Sequence, residues 1–165
     1  MIQNKVAESE LISVDLTTFI PSEKPSLFDL KEFLYKGLIL KEKDYREALK
    51  NKNWDVYKEK NVLVFCSVDV IIPLWAYMLV VVYLEPVAKE VFLNNEDTWK
   101  ETMILRGIDS IKTEEFHNKR VVIKGCGEEP VPTSAFFYIT KKLLPFVKSL
   151  MYGEPCSTVP VFKKK

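Results

Sequence analysis

At 165 residues the chain is long enough for one domain that buries about two thirds of its unfolded surface. Its 24 Lys and Arg balance 23 Asp and Glu, so no field of one sign favours nucleic acid or anionic lipid. The opening residues, Met1 to Glu10, lack the apolar core of a secretory signal, and three cysteines make an odd count for a disulfide framework. The expectation is a cytoplasmic protein with reduced thiols.

In chain order, residues 1–58 form an N-terminal portion. Leu11 to Leu16 alternates apolar and polar and predicts a short strand. Pro21 to Pro25 reads as a loop, Leu27 to Leu34 as a helix that Gly37 ends, and Leu38 to Leu40 as a short strand or link. Glu42 to Asn51 is a better helix, with Asp44, Arg46, Glu47 and Lys50 on a wet face and Tyr45, Ala48 and Leu49 turned inward. Trp54 and Tyr57 then cover an edge of the core.

Residues 60–151 carry an internal repeat, about 60–90 and 119–149. Each copy opens with a β-branched run, Val62 to Phe65 or Val121 to Ile123, reaches a cysteine, Cys66 or Cys126, and then meets a proline that opens an apolar helix. Pro73, Ala76, Tyr77, Pro86 and Lys89 stand at one constant offset from Pro132, Ala135, Phe136, Pro145 and Lys148. The first helix is expected from Pro73 to Leu93, with Pro86 and Pro145 kinking the two helices. Between the copies, Glu96 to Ser110 is helical. Residues 152–165 make a turn and an edge strand, Thr158 to Phe162, before a lysine tail. The stretch from Val62 to Leu84 imitates a membrane span, but it would hold Asp69 near its middle, and its twin carries several charges. A buried strand and helix is the better reading, and no membrane partner is expected.

Strand, helix, helix, strand, helix predicts an α/β fold, a single domain with a mixed sheet in which the two repeat strands run parallel. Neighbouring parallel strands would bring Cys66 and Cys126 out at one carboxyl edge, where open α/β sheets hold ligands. Helix-start amides there would favour thiolate, or else phosphate or carboxylate. With Cys156 folded back, three thiolates suit zinc or an iron–sulfur cluster, with Asp69, His117, Glu128 or Glu154 as a fourth ligand. None of the three belongs to a Cys-x-x-Cys pair, however, and buried cysteine is also a common small hydrophobe. His117 sits in a polar run and reads as a solvated loop residue. Asp69, alone in an apolar run, is a proton-moving candidate with Glu128 or else an N-cap for the helix at Pro73.

Several segments carry a resemblance: Cys66-Ser67-x-Asp69 with Pro73-x-Trp75-Ala76-Tyr77-Met78, Arg120 to Cys126, Val131 to Ala135, and Met151 to Pro160. Together they resemble the bacterial domain of unknown function 2480 family nearly end to end, and the last segment is the most specific. That family has no established activity, so no residue inherits a role. All three cysteines fall in these segments, which favours a metal, and the resemblance implies a partner context among iron–sulfur assembly proteins.

Three functions compete. The first is an accessory protein for iron–sulfur handling with a thiolate site at Cys66, Cys126 and Cys156. The second is an enzyme that binds an anionic small molecule at the paired strand-to-helix loops, with Asp69 or Glu128 moving a proton. The third is a structural or interaction protein whose cysteines pack and whose repeat helices form a homodimer face.

Overall fold

Each of the first two strands ends in an aspartate that turns the chain. The computed structural model describes residues 11–154 and 157–165. In it, β1 (Leu11–Asp15) ends where the Asp15 carboxylate accepts the Thr17 N–H, opening a 3-10 turn over Leu16–Phe19. The device recurs in β2 (Ser26–Asp29), where Asp29 accepts the Lys31 N–H at the head of a 3-10 turn over Leu30–Phe33. The helix expected over Leu27 to Leu34 is therefore a strand and a turn. Phe28 and Leu30 are buried while Leu27 is exposed, so the apolar period is two.

A small hairpin follows, β3 (Leu34–Tyr35) against β4 (Ile39–Leu40), turned at Gly37 with φ of 69°. The helix expected at Glu42 is α1 (Glu42–Asn51), which leads through a 3-10 turn (Asp55–Tyr57) to β5 (Asn61–Phe65). Next come α2 (Leu74–Leu84), β6 (Glu90–Leu93), α3 (Glu96–Asp109) and a 3-10 turn over Thr113–Phe116. The chain continues through β7 (Arg120–Lys124), α4 (Thr133–Leu143), β8 (Ser149–Glu154) and β9 (Ser157–Lys163).

Contacts divide this α/β chain into two compact units, one running up to Pro21 and resuming at Lys100, the other Ser22–Trp99. We call them the flanking and the inserted unit, after their places along the chain. The inserted unit holds a parallel sheet in the order β2-β5-β6. The flanking unit holds a mixed sheet in the order β1-β7-β8-β9, parallel except for β9. The two repeat strands, β5 and β7, were expected as near neighbours in one sheet. They are instead the middle strands of separate sheets, each made parallel to its flanks by the helices between them.

The repeat is visible in single hydrogen bonds. Residues 59 positions apart, as Pro132 is from Pro73, make the same contacts. Glu59 and Asn118, both with φ of 57°, donate to the carbonyls of Val87 and Phe146. Lys89 and Lys148 donate to those of Lys60 and Lys119, and Ala76 and Ala135 to those of Pro73 and Pro132. The helices were expected to run through Pro86 and Pro145 with a kink. Both stop short of the proline, which has no N–H and would clash with the carbonyl four residues back. The chain then doubles back, Val87 and Phe146 donating to the carbonyls of Leu84 and Leu143, into strands β6 and β8.

One core fills each unit. On the inner face of α2, Ala76, Val80 and Leu84 pack with Phe28, Leu30, Tyr45, Leu49, Val62 and Val64. On α4, Ala135, Ile139 and Leu143 pack with Leu16, Ile104, Ile108, Val121 and Leu150. Burying a side chain of this kind contributes roughly 1.5–3 kcal/mol, so these clusters dominate the stability of the fold.

Candidate functional site

The carboxyl edges of the two sheets are where the sequence places chemistry. In the inserted unit, Asp29 Oδ1 accepts the N–H of Lys31 at 2.9 Å and that of Ser67 at 3.0 Å. It thereby ties the end of β2 to the loop that leads into α2. Burial works to raise the Asp29 pKa, but the Ser67 hydroxyl and the N–H groups of Lys31 and Ser67 outweigh it and hold the carboxyl below its ordinary value. Cys66 is half-buried beside Tyr77, whose phenol is pushed up by burial and by that thiol. Asp69 is exposed, and the N-cap of α2 is Pro73 with no side-chain cap. The reading of Asp69 as a costly buried charge or as the N-cap is corrected.

In the flanking unit, Asp15 Oδ1 accepts both the N–H and the hydroxyl of Thr17, at 3.0 and 2.6 Å. Lys124 lies between two carboxylates, 4.0 Å from Asp15 and 3.6 Å from Glu154. Cys126 and Glu128 are exposed on the loop before α4, and Glu129 pairs with Lys100 at 2.8 Å. Ser134, in the first turn of α4, donates to Glu101 of α3. His117 is exposed at the end of a 3-10 turn, as expected of a solvated loop residue.

The strand registers show that the two cysteines are not counterparts. Asp29 stands opposite Phe65 and Asp15 opposite Lys124, so Cys66 matches Gly125, Ser67 matches Cys126, and Asp69 matches Glu128. Cys66 follows a strand of the inserted unit and Cys126 one of the flanking unit. Cys156 lies outside the described residues. It does not follow directly on the second repeat helix, since β8 comes between. Among the described residues no group of three or more His, Cys, Asp or Glu is placed to hold a metal ion.

The feature with no counterpart in ordinary surface chemistry is the outer face of α2. Its sequence, Leu74 to Leu84, contains no charged residue. One face is in the core. On the other, Leu74 is 80 %, Met78 70 % and Val82 66 % exposed, and Ile71, just before the helix, is 93 % exposed. Leu74, Met78 and Val82 follow one another at i, i+4 and i+8, so they form a single ridge about 12 Å long. Helix α4 supplies an internal comparison, because the same repeat builds it against its own sheet. Where α2 has Ile71, Leu74, Met78, Val81 and Val82, the flanking unit has Pro130, Thr133, Phe137, Thr140 and Lys141. Three of those five carry a hydroxyl or a charge.

Beside each helix lies an apolar groove against the last parallel strand. In the inserted unit it holds about 240 Å3 between Tyr77, Met78 and Val81 of α2 and Val91, Phe92 and Leu93 of β6. In the flanking unit it holds about 510 Å3, lined by Phe136, Phe137, Thr140 and Lys141 of α4, by Leu150 to Tyr152, and by Val161 of β9. Tyr152 meets Phe136 edge-on at 5.7 Å.

Two features escaped the sequence reading although both leave a signal. The strand-ending turns share Asp-Leu-x-x-Phe, Asp15 to Phe19 and Asp29 to Phe33. The apolar run that imitated a membrane span ends in the α2 face. No helix among the described residues is long and apolar enough to cross a membrane.

Fold and site together define an α/β protein that uses one strand, turn, helix, strand, helix, strand plan twice and leaves one of its repeated helices apolar outside as well as in. The chain belongs to the family described as Protein of unknown function (DUF2480), whose model matches residues 1–164. No curated protein and no solved structure matches the chain.

Proposed function

We propose that this protein acts by protein–protein interaction, with the outer face of α2 as its docking surface. The observation that carries this reading is the comparison inside the chain. Two helices of one repeat share an inner face, yet the outer face of α4 has Thr133, Thr140 and Lys141 where α2 has Leu74, Val81 and Val82. Single exposed apolar side chains are ordinary, but a contiguous apolar ridge marks an interaction surface. The face is uncharged and apolar, which suits a protein better than a small polar ligand.

The test gives α2 the outer residues of α4, Leu74→Thr with Val82→Lys. Burying Leu74 and Val82 on docking would contribute about 2–4 kcal/mol per copy, scaled by their exposure. Their loss weakens the complex by at least about 30-fold. The unmodified chain should run in cell extract above its 19.2 kDa monomer mass, and the variant, folded by circular dichroism, at that mass. Both chains running as monomers, or both running above, would contradict the reading.

A further inference from the structure

We infer that the groove beside α4 binds a small apolar acid, a molecule with a hydrocarbon body and one carboxylate. The site lies in the flanking unit and stands independently of the docking reading of α2. Its volume of about 510 Å3 falls within the roughly 300–1,000 Å3 typical of small-molecule sites, which the groove beside α2, at about 240 Å3, does not reach. Phe136 and Phe137 of α4, Leu150 and Met151 of β8 and Val161 of β9 give it apolar walls. From Thr133 to Lys141 the helix side of the groove runs roughly 12 Å, room for an extended acyl chain.

Charge selects the head group. No Asp or Glu lines the groove, and the cation that does, Lys141, stands 5.8 Å from the centre of the Phe137 ring. Its neighbour Lys142 is engaged by Asp109, at 3.9 Å from the carboxylate and 2.7 Å from the carbonyl, but among the described residues no acid pairs with Lys141. From Pro130 to Lys165, the stretch that builds α4, β8 and β9, the chain carries six lysines and a single acid, Glu154, although the whole chain is nearly balanced. Glu154 ends β8 and pairs with Lys124 at 3.6 Å. The lysines gather at the other end. Lys163 pairs with Ser149 at the start of β8, and the Lys164 N–H donates to the Lys148 carbonyl at 2.9 Å, beside the end of α4 that carries Lys141. These cations outweigh the partial negative charge of the helix C-terminus. Helix α2 has Val82 where α4 has Lys141, so the repeat supplies the groove twice and the cation once. An apolar trough with a basic end matches a carboxylate on a hydrocarbon body.

The probe is decanoate, kept below its micelle concentration and titrated into the isotope-labelled full chain, with backbone amide shifts as the readout. The expected result is saturable shifts in α4, β8 and β9, centred on Phe137, Lys141 and Val161. Lys141→Glu should weaken decanoate by about tenfold at low salt. Decanol, which has the same body and no charge, should bind both chains alike and so show that the variant keeps its groove. In the unmodified chain, added salt should weaken decanoate and leave decanol unchanged, a readout that needs no variant. The absence of saturable shifts, shifts largest around Met78 and Val81, or an affinity for decanoate indifferent to both salt and Lys141→Glu would overturn the inference. Sedimentation with vesicles of phosphatidylcholine and phosphatidylglycerol that saturating decanoate fails to displace would overturn it in favour of a lipid surface.

Discussion

Replacing Asp29 by Ala removes the acceptor that joins the end of β2 to the loop entering α2. Asp29 Oδ1 holds two backbone N–H groups, at Lys31 and Ser67, with good geometry. Charged acceptors contribute more than neutral ones when buried, but this carboxylate is partly exposed, so the pair is discounted to about 1–2 kcal/mol. For a chain of this length that is a fall in Tm of roughly 2–8 °C at pH 7. The sign of the pH dependence follows from the depressed pKa. The native state holds the carboxylate more tightly than the unfolded chain does. The contribution is therefore complete above the unfolded value and disappears as pH falls through the lower native one. Urea unfolding of both proteins at pH 7 and again below pH 3 reads this directly, with a clear difference at the first pH and a small one at the second. An equal loss at both, or none at pH 7, would refute the reasoning.

A second expectation runs against helix propensity. A methyl group at Gly107 of α3 would overlap the Phe19 ring and also the Phe19 Cβ, so the neighbour must move. Overpacking of about 1–3 kcal/mol exceeds the gain of about 1 kcal/mol from replacing glycine in a helix. Gly107→Ala should lower Tm by a few degrees, and a raised Tm would show that Phe19 relocates freely.

The elements legible in the sequence were those with a clean period and flanks. Helix α1 was readable to its ends because Tyr45 and Leu49, one turn apart, share the buried face, although Ala48, expected inward with them, is exposed. Strands β5 and β7 stood out as β-branched runs, and the constant offset of the prolines announced the repeat. Leu27 to Phe33 misled because its apolar residues also fit a helix, while the deciding feature was Asp29, whose side chain competes with the helical backbone. Pro86 and Pro145 were recognised as costly inside a helix, but whether a proline bends or ends one depends on where the next strand pairs. That is a long-range fact.

The cysteines drew attention as a residue type, although the 59-residue offset of the prolines already sets Cys66 against Gly125. Cys66 and Cys126 are alike in sequence, yet pairing places Ser67, not Cys66, at the counterpart of Cys126. The docking face had the opposite history. Its composition was plain as a charge-free run, but a run shows no side. Only the burial of Ala76, Val80 and Leu84 against the core reveals that Leu74, Met78 and Val82 are left outside.

The most direct test of the docking face is the rate at which Met78 is oxidised by peroxide. It is measured in intact cells and in the purified chain diluted until it is monomeric, with peptide mass spectrometry as the readout and Met103 as the reference. Our account predicts that Met78, 70 % exposed in the single chain, is oxidised several-fold more slowly in cells. Equal rates in the two settings would show that nothing covers the face and would contradict the account.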